Sequence, residues 1–149
     1  MESKEMTFVL VEDDELDMEV FRRALRKHEI EQEMRFARDG NEAIRLLRDE
    51  FVDGSRSDYI VFLDLNMTGM NGHEFLEEIR SDPDLKSAVV FILTTSEHER
   101  DLRLAYAKNV AGYFTKSNID YLMQAIKPYV SGVALPPVAP EDKKRTDTK

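Results

Sequence analysis

The feature that most constrains the fold is an apolar run that ends on an acid, Tyr59–Asp64 (YIVFLD). Its bulky residues favour an extended strand that is buried on both faces, as in the centre of a parallel sheet. The segment that follows, residues 65–72, contains two glycines and is typical of a loop. Because ligands bind beyond the carboxyl ends of parallel strands, we expect Asp64 to lie at the functional edge of the sheet.

Strand-like runs alternate with amphipathic helical patterns along the chain. The strand-like runs are Thr7–Val11, Met34–Ala37, Tyr59–Asp64, Val89–Thr94 and Gly112–Phe114. The apolar residues of the five helical patterns are Leu16, Val20, Phe21, Ala24 and Leu25; Ala43, Ile44 and Leu47; Phe75, Leu76 and Ile79; Leu102, Ala105 and Tyr106; and Ile119, Leu122, Met123, Ile126 and Val130. The alternation predicts an α/β fold, a doubly wound five-stranded parallel sheet flanked by five helices.

Local signals predict where some helices begin and end. Ser96 with Glu99 fits a capping box at the fourth helix, and Ser117 with Asp120 offers a weaker version at the fifth. Pro128 is expected to end or kink the last helix, because proline lacks the backbone N–H that a helix interior requires.

Length and composition predict one ordered domain followed by a tail. A chain of 149 residues is long enough for a single domain that buries about 70% of its unfolded surface. We expect that domain over residues 1–130, with a polar loop over Asp49–Ser57 that is longer than usual. Residues 131–149 are proline-rich and then charged, a composition typical of disorder.

Composition also excludes several classes of function. The chain has no cysteine, which excludes disulfides, zinc thiolates and cysteine nucleophiles. No apolar stretch approaches the ~20 residues of a membrane span, and no signal peptide is visible, so we expect a soluble cytoplasmic protein. The formal net charge of −9 opposes binding to DNA or anionic lipid and favours proteins or cations as partners.

Three acids follow two of the predicted strands. Glu12 and Asp13 come directly after the first apolar run, and Asp64 ends the third. Carboxylates brought this close repel one another, and a shared cation relieves the repulsion. Oxygen ligands without histidine or cysteine select ions such as Mg²⁺ over zinc. The pattern therefore predicts a magnesium site at the edge of the sheet.

The fourth and fifth predicted strands add a hydroxyl and an ammonium group. Thr94 ends one and Lys116 follows the other. Carboxylates, a metal ion, a hydroxyl and a lysine together suit phosphoryl transfer. Each of these residues has a simpler explanation when taken alone. An acid before a helix interacts favourably with the helix dipole, an aspartate can form a turn, and a loop lysine is usually solvated. Agreement among four strand ends is what favours a site.

These motifs resemble the receiver domain of two-component response regulators. They are V-E-D-D at residues 11–14, L-D-L-N-M at 63–67, L-T-T at 93–95 and Y-F-T-K at 113–116. The resemblance covers residues 7–130 and implies a flavodoxin-like sheet with the strand order 2-1-3-4-5. It also implies that Asp64 is the phosphoacceptor. Such a protein is not an enzyme acting on a separate substrate, although it catalyses its own phosphorylation and slow autodephosphorylation.

The resemblance assigns roles to the other motif residues. Asp13, Asp64 and the backbone carbonyl of Asn66 would ligate Mg²⁺, and Glu12 would act mostly through a metal-bound water. Beside them, Thr94 would donate a hydrogen bond to a phosphoryl oxygen, and Lys116 would pair with that group. Tyr113 would be an aromatic switch that turns inward when the threonine moves.

Two positions depart from the usual family pattern. Thr68 stands where the family usually has a proline in the loop after the acceptor, and Ser117 stands where it usually has a proline after the lysine. In the family that Lys-Pro bond is often cis. A cis bond before serine costs about 3 kcal/mol. The departure therefore favours a trans Lys116–Ser117 bond and leaves the shape of the switch loop open.

Further details are similar to phytochrome-associated single-domain response regulators. They lie at residues 81–86, 93–96 and 115–117. This similarity implies a bacteriophytochrome-type sensor histidine kinase as phosphodonor. It also implies a homodimer through the face of the fourth helix, fifth strand and fifth helix. Since no output domain fits after residue 130, we expect a stand-alone receiver that signals through its own surface.

Two other classes of function remain open from the residues. One is a pseudo-receiver, a non-phosphorylated interaction module, against which the intact acid, threonine and lysine set argues. The other is a magnesium phosphohydrolase with an aspartyl-phosphate intermediate. Such enzymes have a second acid two residues after the nucleophile, where this chain has Asn66. The scattered His28, His73 and His98 are interpreted as surface helix residues rather than phosphorelay histidines.

Overall fold

The structure is a computed structural model that describes residues 6–54 and 58–132. The strands are β1 (Thr7–Val11), β2 (Glu33–Ala37), β3 (Tyr59–Leu63), β4 (Val89–Thr94) and β5 (Gly112–Thr115). The α-helices are α1 (Glu15–Lys27), α2 (Gly40–Leu47), α3 (Gly72–Arg80), α4 (Glu99–Ala107) and α5 (Ile119–Ser131). Strand and helix alternate along the described chain, as the hydrophobic pattern predicts.

The five strands form one parallel sheet in the order β2-β1-β3-β4-β5. This confirms the predicted fold class and strand order. The register between β1 and β3 places Val11 opposite Leu63. The next residues, Glu12 and Asp64, therefore leave the sheet side by side, and the Asp64 N–H donates to the Val11 carbonyl at 3.1 Å. The parallel register is what brings the predicted acids together.

Each face of the sheet carries its own hydrophobic core. Alternate residues of β1 point to opposite faces, so Val9 packs with α2 and α3 whereas Phe8 packs with α1 and α5. The side chains of β3 are buried throughout, as expected of a central parallel strand. On the α1 and α5 side, the ring of Phe62 lies 5.0 Å from that of Phe8 and 5.1 Å from that of Phe21. These contacts anchor the strand that ends at the acid.

The predicted buried face of α1 is partly wrong. Leu16 and Val20 are 78% and 43% exposed, whereas Met18 is buried. Two residues along a helix correspond to roughly 200° of rotation, so Leu16 and Val20 lie opposite the Met18 face. In α4 the same correction applies to Leu102 and Tyr106, which are exposed while Ala105 is buried.

Both predicted capping boxes are wrong. In α4 the N-cap is His98, without a side-chain cap, and the Ser96 hydroxyl instead donates to Asp101. In α5 the N-cap is Asn118, because residues 116–118 form a 3₁₀ turn before the helix begins. A capping box does form at α3, where Asn71 and Glu74 exchange side-chain and backbone hydrogen bonds.

Two further predictions about helix ends and loops need correction. Arg48–Val52 extends α2 as a π-helical turn, because Phe51 is buried and packs 4.5 Å from the ring of Tyr59. The polar loop predicted from Asp49 is correspondingly shorter, and its residues 55–57 lie outside the described residues. Helix α5 continues past Pro128 to Ser131, so the predicted helix end at the proline is wrong, and the alternative of a kink there stays a prediction.

The predicted tail lies almost entirely outside the described residues, which end at Gly132. The division into a domain at 1–130 and a tail at 131–149 stays a prediction. Within residues 6–54 and 58–132, none of the helices combines the length and apolar character that a membrane crossing requires.

Candidate functional site

Three carboxylates meet where β1 and β3 end. Glu12, Asp13 and Asp64 each offer an oxygen, and these oxygens lie within 4.8 Å of one another. Glu12 and Asp64 are only 3% and 5% exposed, while Asp13 is half-buried at the rim. The sequence predicted this cluster, and the strand register described above explains it.

Lys116 brings its ammonium group into the cluster from the end of β5. Its Nζ lies 2.8 Å from Oε1 of Glu12, 3.2 Å from Oδ2 of Asp64 and 2.5 Å from Oδ2 of Asp17. An ammonium group has three N–H donors, so these three carboxylates occupy all of them. The lysine side chain is 15% exposed, which makes it a partly buried ion partner rather than a solvated loop residue.

Burial and charge shift the titration of this cluster. Burial raises the pKa of Glu12 to about 7, with a further upward contribution from the Asp64 charge, although the Lys116 ammonium opposes both. For Lys116, burial by itself lowers the pKa, but the hydrogen bonds to Asp17 and Glu12 outweigh it and the pKa is raised. The lysine is therefore cationic, and Glu12 is the acid whose ionisation is disfavoured, chiefly by burial and further by the Asp64 charge.

The donor set of the cluster fits a divalent cation. The carboxylate oxygens of Glu12, Asp13 and Asp64 are hard ligands that suit Mg²⁺ or Mn²⁺, and one lysine cannot neutralise them. Asn66 lies beside them, since its backbone N–H donates to Oδ1 of Asp64 at 3.1 Å. These residues could hold such an ion at the edge of the sheet.

Thr68 contacts the cluster directly. Its backbone N–H and its hydroxyl both donate to Oδ2 of Asp13, at 3.1 and 3.3 Å. A proline at this position has neither donor. The departure from the usual family pattern thus supplies two hydrogen bonds that tie Asp13 to the loop between β3 and α3.

Gly72 allows α3 to begin close to the loop that follows Asp64. A Cβ atom at this position would lie 2.6 Å from the Cα of Leu65 and 2.7 Å from the backbone oxygen of Asp64. The Gly72 N–H donates to the Leu65 carbonyl at 3.1 Å. Only glycine lets the start of α3 approach the backbone of Asp64 and Leu65 this closely, and the hydrogen bond from the Gly72 N–H then holds the loop in place.

Thr94 and Tyr113 both contact the segment around Ser96. Oγ1 of the fully buried Thr94 accepts hydrogen bonds from Asn66 Nδ2 and from the Ser96 N–H, both at 3.4 Å. The hydroxyl of the partly buried Tyr113 donates to the Ser96 carbonyl at 3.1 Å. The predicted threonine and tyrosine are therefore linked through one residue of the loop between β4 and α4.

Sequence reasoning missed a chain of polar contacts at this loop. The Ser96 hydroxyl donates to Oδ2 of Asp101 at 2.5 Å, and Nε2 of His73 lies 2.9 Å from Oδ1 of Asp101. The hydrogen bond from the Ser96 hydroxyl lowers the pKa of the Asp101 carboxyl most, and the hydrogen bond with His73 lowers it further. Of the other histidines, His28 contacts Asp120 at 2.8 Å and His98 is exposed. Nothing in the local sequence around His73 signals its contact with α4.

Comparisons with known proteins agree on one family. The sequence profile described as "Response regulator receiver domain" matches residues 8–127. Response regulator Rcp1 from Synechocystis sp. is 37% identical over 111 residues, covering 73% of this chain and 75% of that protein.

Two solved structures are also similar. The crystal structure of the Mn²⁺-bound form of Rcp1 has a TM-score of 0.73 at 33% identity and covers 87% of this chain and 98% of that chain. The crystal structure of the phosphorylated cyanobacterial phytochrome response regulator RcpA has a TM-score of 0.71 at 37% identity. It covers 87% of this chain and 97% of that chain.

The raised pKa of Glu12 predicts how stability depends on pH without metal. A carboxyl whose pKa is raised by folding stabilises the fold at low pH, and that contribution is lost as the pH rises through about 7. Glu12→Gln keeps an oxygen for Lys116 but cannot ionise. We expect the free energy of unfolding of the variant, relative to the parent, to increase between about pH 4.5 and pH 7. Urea titrations in EDTA at several pH values measure the free energy of unfolding of the variant and of the parent.

Glu78→Gln, at an exposed position of α3, is the matched control and is expected to show no such trend. A difference between Glu12→Gln and the parent that stays constant across this pH range would contradict the assignment.

Proposed function

This chain belongs to the response regulator receiver domain family, and on that premise we propose that it accepts a phosphoryl group from a sensor histidine kinase onto Asp64. The observation that carries the proposal is the setting of the Asp64 carboxylate. One oxygen accepts from the Asn66 N–H and the other lies 3.2 Å from the Lys116 ammonium, with two more acids beside it. The phosphorylated protein then signals through a changed surface.

Asp64 is the nucleophile in the proposed reaction. A carboxylate oxygen forms a bond to phosphorus, the bond from phosphorus to the donor histidine nitrogen breaks, and its electron pair returns to the imidazole. An acyl phosphate results. Lys116 neutralises charge on the transferring group, because its ammonium already lies beside the attacking carboxylate. Water later attacks the phosphorus, the bond from phosphorus to the Asp64 oxygen breaks, and inorganic phosphate leaves the restored carboxylate.

We propose Mg²⁺ as the cofactor. Asp13, Asp64 and the backbone carbonyl of Asn66 are its proposed ligands, and Glu12 contributes through a bound water. The oxygen-only donor set supports this proposal, as does the Mn²⁺ named for the related Rcp1 structure. When bound, the ion supplies positive charge that stabilises the transferring phosphoryl group.

Thr94 and Tyr113 form the proposed switch. The Thr94 oxygen accepts two hydrogen bonds, and its own proton is donated to no residue in the described part of the chain. The Thr94 hydroxyl can therefore donate this proton in a hydrogen bond to a phosphoryl oxygen. Movement of Thr94 toward that oxygen breaks the hydrogen bond between the Ser96 N–H and the Thr94 hydroxyl. The Ser96 carbonyl accepts the hydrogen bond from the Tyr113 hydroxyl, so the tyrosine is affected in turn. Phosphorylation at the sheet edge is thereby coupled to the tyrosine ring.

We propose a bacteriophytochrome-type histidine kinase as phosphodonor, meeting this protein in the cytoplasm. The similarity to RcpA, a phytochrome response regulator, supports the kinase type. For the signalling surface we propose a homodimer through α4, β5 and α5. The helices of this face carry exposed large apolar side chains, namely Leu102, Leu104 and Tyr106 on α4 and Tyr121 on α5.

The first test concerns the acceptor. Asp64→Asn retains the shape of the side chain but removes the anionic nucleophile, so we expect acetyl phosphate and Mg²⁺ to add no phosphoryl group. Intact-mass spectrometry at neutral pH makes the measurement. Asp49→Asn, the same change at an exposed position, is expected to be phosphorylated like the parent. Phosphorylation of Asp64→Asn would refute the assignment, and an unlabelled parent would favour a non-phosphorylated interaction module.

The second test concerns the metal. Asp13→Asn keeps an oxygen that Thr68 can bind but removes a charge from the proposed ligand set. We expect the Mg²⁺ dissociation constant, measured by calorimetry, to rise at least on the order of tenfold. Asp14→Asn is the matched control, since Asp14 caps α1 through an oxygen that asparagine retains. Equal Mg²⁺ affinity in both variants would exclude Asp13 as a ligand.

The third test concerns the switch. Thr94→Ala and Tyr113→Ala are each expected to accept phosphate yet lose the phosphorylation-dependent change in self-association. Analytical ultracentrifugation with and without beryllofluoride measures that change. The exposed neighbour supplies the control Thr95→Ala, which is expected to respond like the parent. If Thr94→Ala and Tyr113→Ala also respond like the parent, the proposed coupling is wrong.

A further inference from the structure

Asp17 makes the shortest contact to the lysine of the acceptor site. Its Oδ2 lies 2.5 Å from Lys116 Nζ, compared with 2.8 Å for Glu12 and 3.2 Å for Asp64. Asp17 belongs to the first turn of α1, and its side chain is 34% exposed. The lysine is therefore held between a buried acid on the sheet and a half-exposed acid on a helix.

These contacts fix the direction of every N–H on the ammonium group. Three donors meet three acceptors, so the bonds to Glu12 and Asp17 determine where the third N–H points, which is toward Asp64. A lysine side chain has four rotatable methylenes and does not hold one geometry by itself. Without Asp17, one donor has no acceptor on the helix side, and the ammonium is free to move away from the acceptor.

We propose that Asp17 is a positioning residue for phosphoryl transfer, an inference that rests on the phosphoacceptor function proposed above. Asp17 does not touch the phosphoryl group. It holds Lys116 so that the N–H aimed at Asp64 passes to a phosphoryl oxygen while the bonds to Glu12 and Asp17 persist. The lysine then needs no reorientation during the transfer.

The charge of Asp17, considered alone, predicts that its removal speeds phosphorylation, whereas the positioning role predicts that its removal slows phosphorylation. This difference makes the proposal testable. Removing an acid from the rim of the site lessens repulsion of an anionic phosphodonor and by itself speeds the reaction. Loss of positioning slows it. Asp17→Ala and Glu15→Ala each remove one carboxylate from the first turn of α1, and alanine leaves no side-chain oxygen, but Glu15 pairs with Arg38 at 2.7 Å rather than with the lysine.

The first measurement is the rate of phosphorylation by acetyl phosphate in saturating Mg²⁺. For Asp17→Ala we expect the maximal rate to fall about tenfold, with little change in the half-saturating acetyl phosphate concentration. For Glu15→Ala we expect a rate equal to that of the parent or slightly higher. An unchanged or faster Asp17→Ala would overturn the inference while leaving the acceptor function of Asp64 intact.

The second measurement needs no phosphorylation and no metal. Proton–nitrogen NMR detects the Lys116 ammonium when hydrogen bonds slow its exchange, and Lys116→Met identifies that signal by its loss. We expect the signal to be visible in the parent and in Glu15→Ala, and broadened away in Asp17→Ala. A slower Asp17→Ala that keeps the ammonium signal would overturn the inference, because the loss of rate would then have a general structural origin.

The two measurements separate failure of the inference from failure of the proposed function. A parent that accepts no phosphoryl group overturns the function, and the positioning role falls with it, even where the NMR signal depends on Asp17. Circular dichroism checks that each variant is folded. Asp17→Ser is measured in both assays in place of Asp17→Ala if the alanine variant is unfolded, with the same expected results.

Discussion

The site depends on one ammonium group that is shared by buried carboxylates. Glu12 and Asp64 lose most of their hydration at the edge of the sheet, and unpaired charges there are costly. Lys116 offsets part of that cost by contacting both acids. Because the acids outnumber the lysine, the cluster retains an excess of negative charge. Burial raises the pKa of Glu12 and the Asp64 charge adds to that rise, while the negative charge that remains favours the binding of a cation.

The parallel sheet makes this charge arrangement possible. Residues at the carboxyl ends of β1, β3, β4 and β5 come from widely separated parts of the chain but meet at one edge. Two hydrophobic cores hold the strands in register, and the backbone bond from Asp64 to Val11 fixes the relative height of the acids. Packing energy from apolar residues therefore offsets the repulsion within the site.

The sequence predicted what short-range patterns determine. Apolar runs fixed the strands, and residues that end those runs, such as Asp64 and Thr94, follow directly from chain direction. Helix faces were predicted less well, because Leu16 is apolar yet lies on the solvent side of α1. Asp17 was missed since an acid in the first turn of a helix is already explained by the helix dipole. The bond between Ser96 and Asp101 replaced a predicted cap, and no local pattern distinguishes the two.

The two departures from the usual family pattern have different consequences in the structure. Thr68 supplies donors that bind Asp13, so the loop after Asp64 is held by hydrogen bonds where proline would restrict the backbone. Ser117 lies in a 3₁₀ turn that begins at Lys116 itself, and its hydroxyl contacts Thr115 rather than the site. The proline ring that usually follows the lysine in this family, and that restricts the backbone there, is absent at Ser117. Side-chain contacts must then fix the ammonium, and Asp17 provides the shortest of them.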